Sequence, residues 1–225
     1  SQTSDTRADQ NADFERIFFA QLQARITNRF GGGRHRELAK LLQQYLEQEG
    51  IEICTSVKVD SVMQSDKEKV VAAIANGKKR EYRGEELLIA TGRNPNTKGL
   101  NLELLEVKLG KKGEIMVNEE MRAAENVWAG GDVKGEPMLE TVAAKEGMIA
   151  ATNALAHDAA NRKKMDYTIV PHAVFTNPQL AGIGLTDDQA IERGIRCRCN
   201  TIPFEIVPKA QAIRDTRGAI KMVID

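Results

Sequence analysis

The chain has 225 residues, 41% hydrophobic, 28% charged and only 4% aromatic, so its core must be mostly aliphatic. With 32 basic side chains against 32 acidic ones the formal net charge is zero, which argues against nucleic-acid binding through bulk charge. Apolar runs such as residues 87–90 fall far short of the roughly 20 residues that span a bilayer. The three cysteines, Cys54, Cys197 and Cys199, cannot build a disulfide framework. One or two domains in a reducing, cytoplasmic setting are expected, with neither a nucleic-acid nor a membrane partner.

Residues 1–11 are polar and lack apolar periodicity, as a disordered segment would, and they do not resemble a signal peptide. Phe14, Ile17, Phe18, Leu22 and Ile26 recur at three- and four-residue steps and predict a helix over 14–30, broken by glycines at 31–33. A second amphipathic helix is predicted over Arg36–Gln48, with Leu38, Leu41, Leu42, Tyr45 and Leu46 inward and Gly50 as its stop. Residues 51–54, 57–62, 70–74 and 80–82 read as short strands, the last two joined by a tight turn at Asn76-Gly77. Residues 85–91 (EELLIAT) read as a strand buried on both faces, and 113–117 and 126–129 as two more strands. A long alanine-rich helix is expected over 139–156, then a polar, basic stretch at 161–166 where a domain boundary is placed. Beyond it, strands are expected at 173–175, 182–185, 197–203 and 219–224, with one helix over 186–193 capped by Thr186. The chain ends at Asp225 in or beside a strand, and a domain seldom ends on an uncovered strand, so the sequence reads as cut short.

Two motifs carry chemistry. In 90–96 (ATGRNPN) a strand ends in Gly92, which would let a flat ligand approach the backbone; the alternative is an ordinary turn. In 127–132 (VWAGGD) two glycines follow a strand, Asp132 could accept hydrogen bonds from ribityl or ribose hydroxyls, and a helix start behind it offers free N–H groups. The alternative there is a turn locally capped by Asp132. Cys197 and Cys199 would share a strand face, and packing rather than metal or redox chemistry is their simplest role. His35, His157 and His172 show no metal-ligand spacing, and no metal site is expected.

Taken in order, ATGRNPN, AGGD and LETVAAKEG resemble the second flavin-binding segment of the pyridine nucleotide-disulfide oxidoreductases, the family of dihydrolipoamide dehydrogenase, glutathione reductase and mercuric reductase. Residues 171–184 (PHAVFTNPQLAGIG) are similar to the start of that family's dimerisation domain. Residues 207–210 (VPKA) and 215–221 (DTRGAIK) resemble the mercuric reductase branch more than the lipoamide branch. The resemblance implies an α/β fold: a partial FAD/NAD(P)-binding, Rossmann-like part with a small antiparallel meander, then an incomplete α+β dimerisation domain. It implies a divergent N-terminal segment with one helix (1–30), a remnant of the NAD(P)-binding domain (31–90), the second FAD-binding segment (91–160) and the start of the dimerisation domain (166–225).

The resemblance also implies FAD and NAD(P)H as cofactors. Asp132 would lie on the ribityl chain beside Gly131, with Leu139, Glu140 and Thr141 along the flavin ring. Gly92, flanked by Thr91, would lie near the nicotinamide and flavin region. The implied function is electron transfer from NAD(P)H through FAD to a disulfide or a metal ion such as Hg(II), in a homodimer or a chain completed by another. The family's strand–GxGxxG–helix unit and its CxxxxC redox pair do not occur in this sequence. No catalytic residue is therefore assigned, and the chain reads as a fragment of a larger enzyme, a truncated frame or a split subunit. An inactive FAD-binding or assembly module is the second reading, and a dihydrolipoamide dehydrogenase-like piece a third.

Overall fold

A computed structural model describes residues 36–65 and 68–225. The segments expected at 1–11 and 14–30 and the glycines at 31–33 lie outside the described residues. In chain order the elements are α1 (Arg36–Gln48), β1 (Val57–Ser65), β2 (Glu68–Ala75), β3 (Lys78–Gly84), β4 (Arg122–Ala124), β5 (Val127–Trp128), α2 (Glu140–Ala154), β6 (His172–Val174), β7 (Leu180–Gly182), α3 (Asp187–Glu192), β8 (Arg198–Pro203), α4 (Pro208–Ala212) and β9 (Ala219–Ile224). They fall into two compact units. The first holds the described residues up to Thr91 with Phe175–Leu180 and Leu185–Asp225; the second holds Gly92–Val174 and Ala181–Gly184.

In the first unit, α1 spans the residues its periodicity predicts, with Ala39, Leu42 and Leu46 buried. It ends in a Schellman arrangement: the Gly50 N–H donates to the Glu47 carbonyl and the Ile51 N–H to the Leu46 carbonyl. Gly50 carries a φ of 90°, the left-handed conformation this closure needs. The meander β1–β2–β3 is antiparallel throughout. Asn76 and Gly77 both have positive φ, as the tight turn between β2 and β3 requires. The central strand, β2, buries Val71 and Ala73 against Tyr82 of β3, with Cys54, Val57 and Leu87 alongside.

Two expected strands do not form. Residues 51–54 are extended but unpaired, and residues 85–91 are likewise unpaired, with Leu88 59% and Ile89 71% exposed. A run this apolar reads as a doubly buried strand, but burial needs neighbouring strands, and none pairs with it among the described residues. The pairs β1–β2, β2–β3, β4–β5 and β8–β9 are antiparallel.

The C-terminal segment of the first unit follows the expected order. Thr186 caps α3 through a capping box with Gln189, its hydroxyl accepting from the Gln189 N–H. The strands β8 and β9 pair over their full length, from Arg198 with Ile224 to Pro203 with Ala219. The short helix α4, started by Pro208, was not anticipated. The DTRG motif closes onto α1: Arg217 is held by Asp215 (3.0 Å) and Glu49 (2.6 Å), and the Gly218 N–H donates to the Tyr45 hydroxyl (3.0 Å). Lys221 on β9 lies 2.8 Å from Asp187 and 3.3 Å from Glu37.

The hydrogen bond from Lys221 holds the Asp187 carboxyl below the usual carboxylate range. The folded-state value therefore lies below the unfolded one. Its contribution to stability is complete above the unfolded value of about 3.9 and is lost as pH falls through the folded value. Asp187→Asn is expected to flatten the dependence of the urea midpoint on pH between about 5 and 2. Parallel profiles for variant and parent would contradict this.

In the second unit, β4 and β5 form a short hairpin. The strand expected at 113–117 reduces to one bridge between Leu109 and Ile115, because 3-10 turns and loops supply its surroundings. One core cluster gathers Leu102, Val107, Ile115 and Ala129. The other packs Met121 and Met165 against Val142 and Ile149 of α2. The helix expected at 139–156 is present as α2, two residues shorter at its C-terminal end.

Candidate functional site

The second motif sits where β5 gives way to α2. After Trp128 and Ala129 the chain crosses Gly130 and Gly131 and enters a 3-10 turn over Asp132–Lys134. Gly131 has a φ of 80° and ψ of −157°, a region closed to side chains. Both glycines also lie against α2. A Cβ at Gly130 would stand 3.0 Å from the backbone carbonyl carbon and the Cβ of Glu146, and one at Gly131 3.3 Å from the Cβ of Ala143. The motif's glycines are thus required by close packing on the helix as well as by the turn.

Beyond the turn, Leu139 is the N-cap of α2 and provides no side-chain hydrogen bond to its first turn. The leading N–H groups of α2 therefore get no acceptor from a capping side chain, and the positive end of the helix is left for another partner. Leu139 is half-buried, and Glu140 and Thr141 are exposed.

The first motif meets the second at Arg93. Its Nη1 donates to Asp132 Oδ2 at 2.8 Å across 39 residues of sequence. The two side chains are 62% and 44% exposed. An ion pair this open contributes on the order of 0–1 kcal/mol, so Asp132 can exchange its partner for ligand hydroxyls at little cost. Gly92, next to Arg93, has a φ of 132° and open space where a side chain would project. Thr91 and Gly92 are both exposed, and Gly131 is buried.

Of the residues singled out from sequence, Asp132, Gly131 and the start of α2 gather on one stretch of chain, and Gly92 adjoins it through Arg93. Cys54 and Cys197 are half-buried and Cys199 exposed, all as free thiols. Among the described residues no group of His, Cys, Asp or Glu could hold a metal ion, and no helix is long and apolar enough to cross a membrane. His172, at the start of β6, is half-buried, and burial pushes its imidazole below its ordinary value.

Sequence reasoning missed a buried polar cluster directly behind Gly131. Glu146 on α2 is 0% exposed. Its Oε2 accepts the Gly131 N–H at 2.6 Å. Its Oε1 accepts the Tyr167 hydroxyl at 2.6 Å and lies 3.2 Å from Lys134 Nζ, whose side chain is 7% exposed. Lys134 also donates to the Glu136 carbonyl at 2.9 Å and stands over the Tyr167 ring, 4.9 Å from its centroid. Burial, then the hydrogen bond to Glu146, keeps the Tyr167 phenol protonated well above its ordinary range. The signal was available: Val142, Glu146, Ile149 and Asn153 form the buried face of α2 at steps of four, three and four, so two polar residues stand on an inward stripe.

The family model for pyridine nucleotide-disulphide oxidoreductase matches residues 18–147, and that for the family's dimerisation domain matches 170–225. The chain is 37% identical over 190 residues to a mercuric reductase of Staphylococcus aureus, covering 84% of this chain and 34% of the relative. It is 37% identical to a mercuric reductase of Streptomyces lividans, covering 92% and 44%. It is 36% identical to a dihydrolipoyl dehydrogenase of Thermus scotoductus, covering 84% and 41%. Among solved structures, the HOCl-induced flavoprotein disulfide reductase RclA from Escherichia coli superposes with a TM-score of 0.73 at 27% identity, over 85% of this chain and 43% of that one. The chain thus spans less than half the length of these relatives.

Proposed function

The chain belongs to the pyridine nucleotide-disulphide oxidoreductase family, and from that membership we propose that it forms one wall of the flavin site of an NAD(P)H-driven reductase whose electron acceptor is a disulfide or a metal ion, most like Hg(II). The cofactors of the family are FAD and NAD(P)H. The observation that carries the reading is the Arg93–Asp132 pair, which joins the two motifs at an accessible carboxylate beside an uncapped helix start.

The residues present fit such a group. Asp132 would accept hydrogen bonds from the ribityl hydroxyls, and Gly131 would let the backbone pass close to them. Leu139, Glu140 and Thr141 would border the ring, where the positive end of α2 favours negative charge. Thr91 and Gly92 would line the nicotinamide side. FAD, when bound, supplies acceptance of hydride from NAD(P)H and onward release of electrons. Arg93 orients the Asp132 carboxylate until a hydroxyl replaces it.

The mercuric reductases among the relatives support Hg(II) as acceptor, and the DTRG segment supports that branch. The match of residues 170–225 to the dimerisation domain supports a homodimer.

Titration of the full chain with FAD, followed by flavin absorption and fluorescence, tests the reading. Asp132→Ala is expected to weaken binding about 10- to 100-fold, the weight of charge-assisted hydrogen bonds at an open site. Flavin spectra unchanged by the chain, both alone and with the N-terminal half of a related reductase supplied in trans, would sink it.

A further inference from the structure

We propose that Glu146 is the positioning residue of the Asp132 corner: its buried carboxylate captures the Gly131 N–H and so sets the direction in which the Asp132 side chain leaves the backbone. This rests on reading Asp132 as the flavin-holding carboxylate.

A carboxylate buried in this position needs a reason. The same face of α2 carries Val142 and Ile149, and an aliphatic side chain there would fill the space without the desolvation that burying a charge costs. Glu146 is instead fully partnered. One oxygen receives Gly131, and the other meets Tyr167 and Lys134. Gly131 and Lys134 bracket Asp132 in the chain, and both are tied to this one carboxylate. The 3-10 turn is thereby held at each end, with Asp132 at its start. Gly130 leaves no room for a side chain, because a Cβ there would stand 3.0 Å from the backbone carbonyl carbon of Glu146. Of the side chains in the turn, Val133 packs against a core cluster and Lys134 is tied to Glu146, which leaves that of Asp132, 44% exposed, to meet the ligand.

The test compares two neutral replacements in the full chain, chosen so that neither leaves a buried charge unpaired. In Glu146→Gln with Lys134→Met, the amide oxygen can still accept the Gly131 N–H. In Glu146→Leu with Lys134→Met, nothing can. The glutamine pair is expected to keep FAD affinity within about threefold of the parent, and the leucine pair to lose about tenfold or more. In an Asp132→Ala background the leucine pair is expected to add less than about twofold, because Glu146 acts through Asp132. Hydrogen exchange without ligand supplies a second readout: the Gly131 amide is expected to exchange about tenfold faster in the leucine pair than in the glutamine pair, with α2 equally protected.

A leucine pair that binds FAD like the parent while Asp132→Ala does not, or whose loss persists undiminished without Asp132, overturns the proposal. If Asp132→Ala itself leaves affinity unchanged, the reading of Asp132 fails instead. The exchange of Gly131 then judges the anchor alone, and equal rates in the two pairs overturn it.

Discussion

Lys134→Ala is expected to lower the stability of the second unit by about 3–5 kcal/mol, the usual cost of leaving a buried charge without its partner. Glu146 is wholly enclosed and Lys134 is its cation, with 7% of the lysine side chain exposed. The truncation also removes the donor to the Glu136 carbonyl and the cation over the Tyr167 ring, each a smaller loss. Lys134→Met separates charge from packing. It keeps the aliphatic stem, so if packing dominated it would restore most of the stability. The electrostatic account instead expects Lys134→Met to be nearly as damaging as the alanine. Adding Glu146→Gln to Lys134→Met should then recover most of the loss, because the site becomes neutral. Urea unfolding of each variant, read as midpoint and slope, decides between the two. A Lys134→Ala variant within about 1 kcal/mol of the parent would show that the buried pair contributes little.

Met121→Ala is expected to cost about 2–5 kcal/mol. Met121 is 1% exposed and packs with Val142, Ile149 and Met165. The thioether also lies 3.9 Å from the Tyr167 hydroxyl, so the cavity would open beside the Glu146 cluster. Met121 has a φ of 63°, which strains any residue with a Cβ. Alanine pays the same strain, so the difference measures the side chain alone. Met121→Leu, close in volume, is expected to cost less than about 1.5 kcal/mol. A leucine variant as unstable as the alanine one would mean that the shape of the thioether, rather than its volume, fills the core.

Much of the chain was legible because local rules decide local structure. The four-three spacing of α1, the Asn76-Gly77 turn and the Thr186 cap each state their geometry within a few residues, and each appears where expected. The two glycines before Asp132 were readable as a close approach of backbone, although what they approach proved to be α2 itself. Residues 85–91 show the limit of such reading. Their composition states a wish to be buried, but a strand exists only through a partner, and partners are not encoded within seven residues. The helix α4 and the strand β4 were missed because they are short and carry weak periodicity.

By itself the amino-acid sequence determined the family, through motifs in fixed order, and it singled out the residues proposed to border a flavin, because those motifs are contiguous. Only the tertiary structure decided that Arg93 meets Asp132 and that Glu146, Lys134 and Tyr167 converge behind Gly131. Those contacts join residues tens of positions apart, and which of many charged side chains meet is settled by how helix and turns pack, since burial makes an unpaired charge too costly to keep.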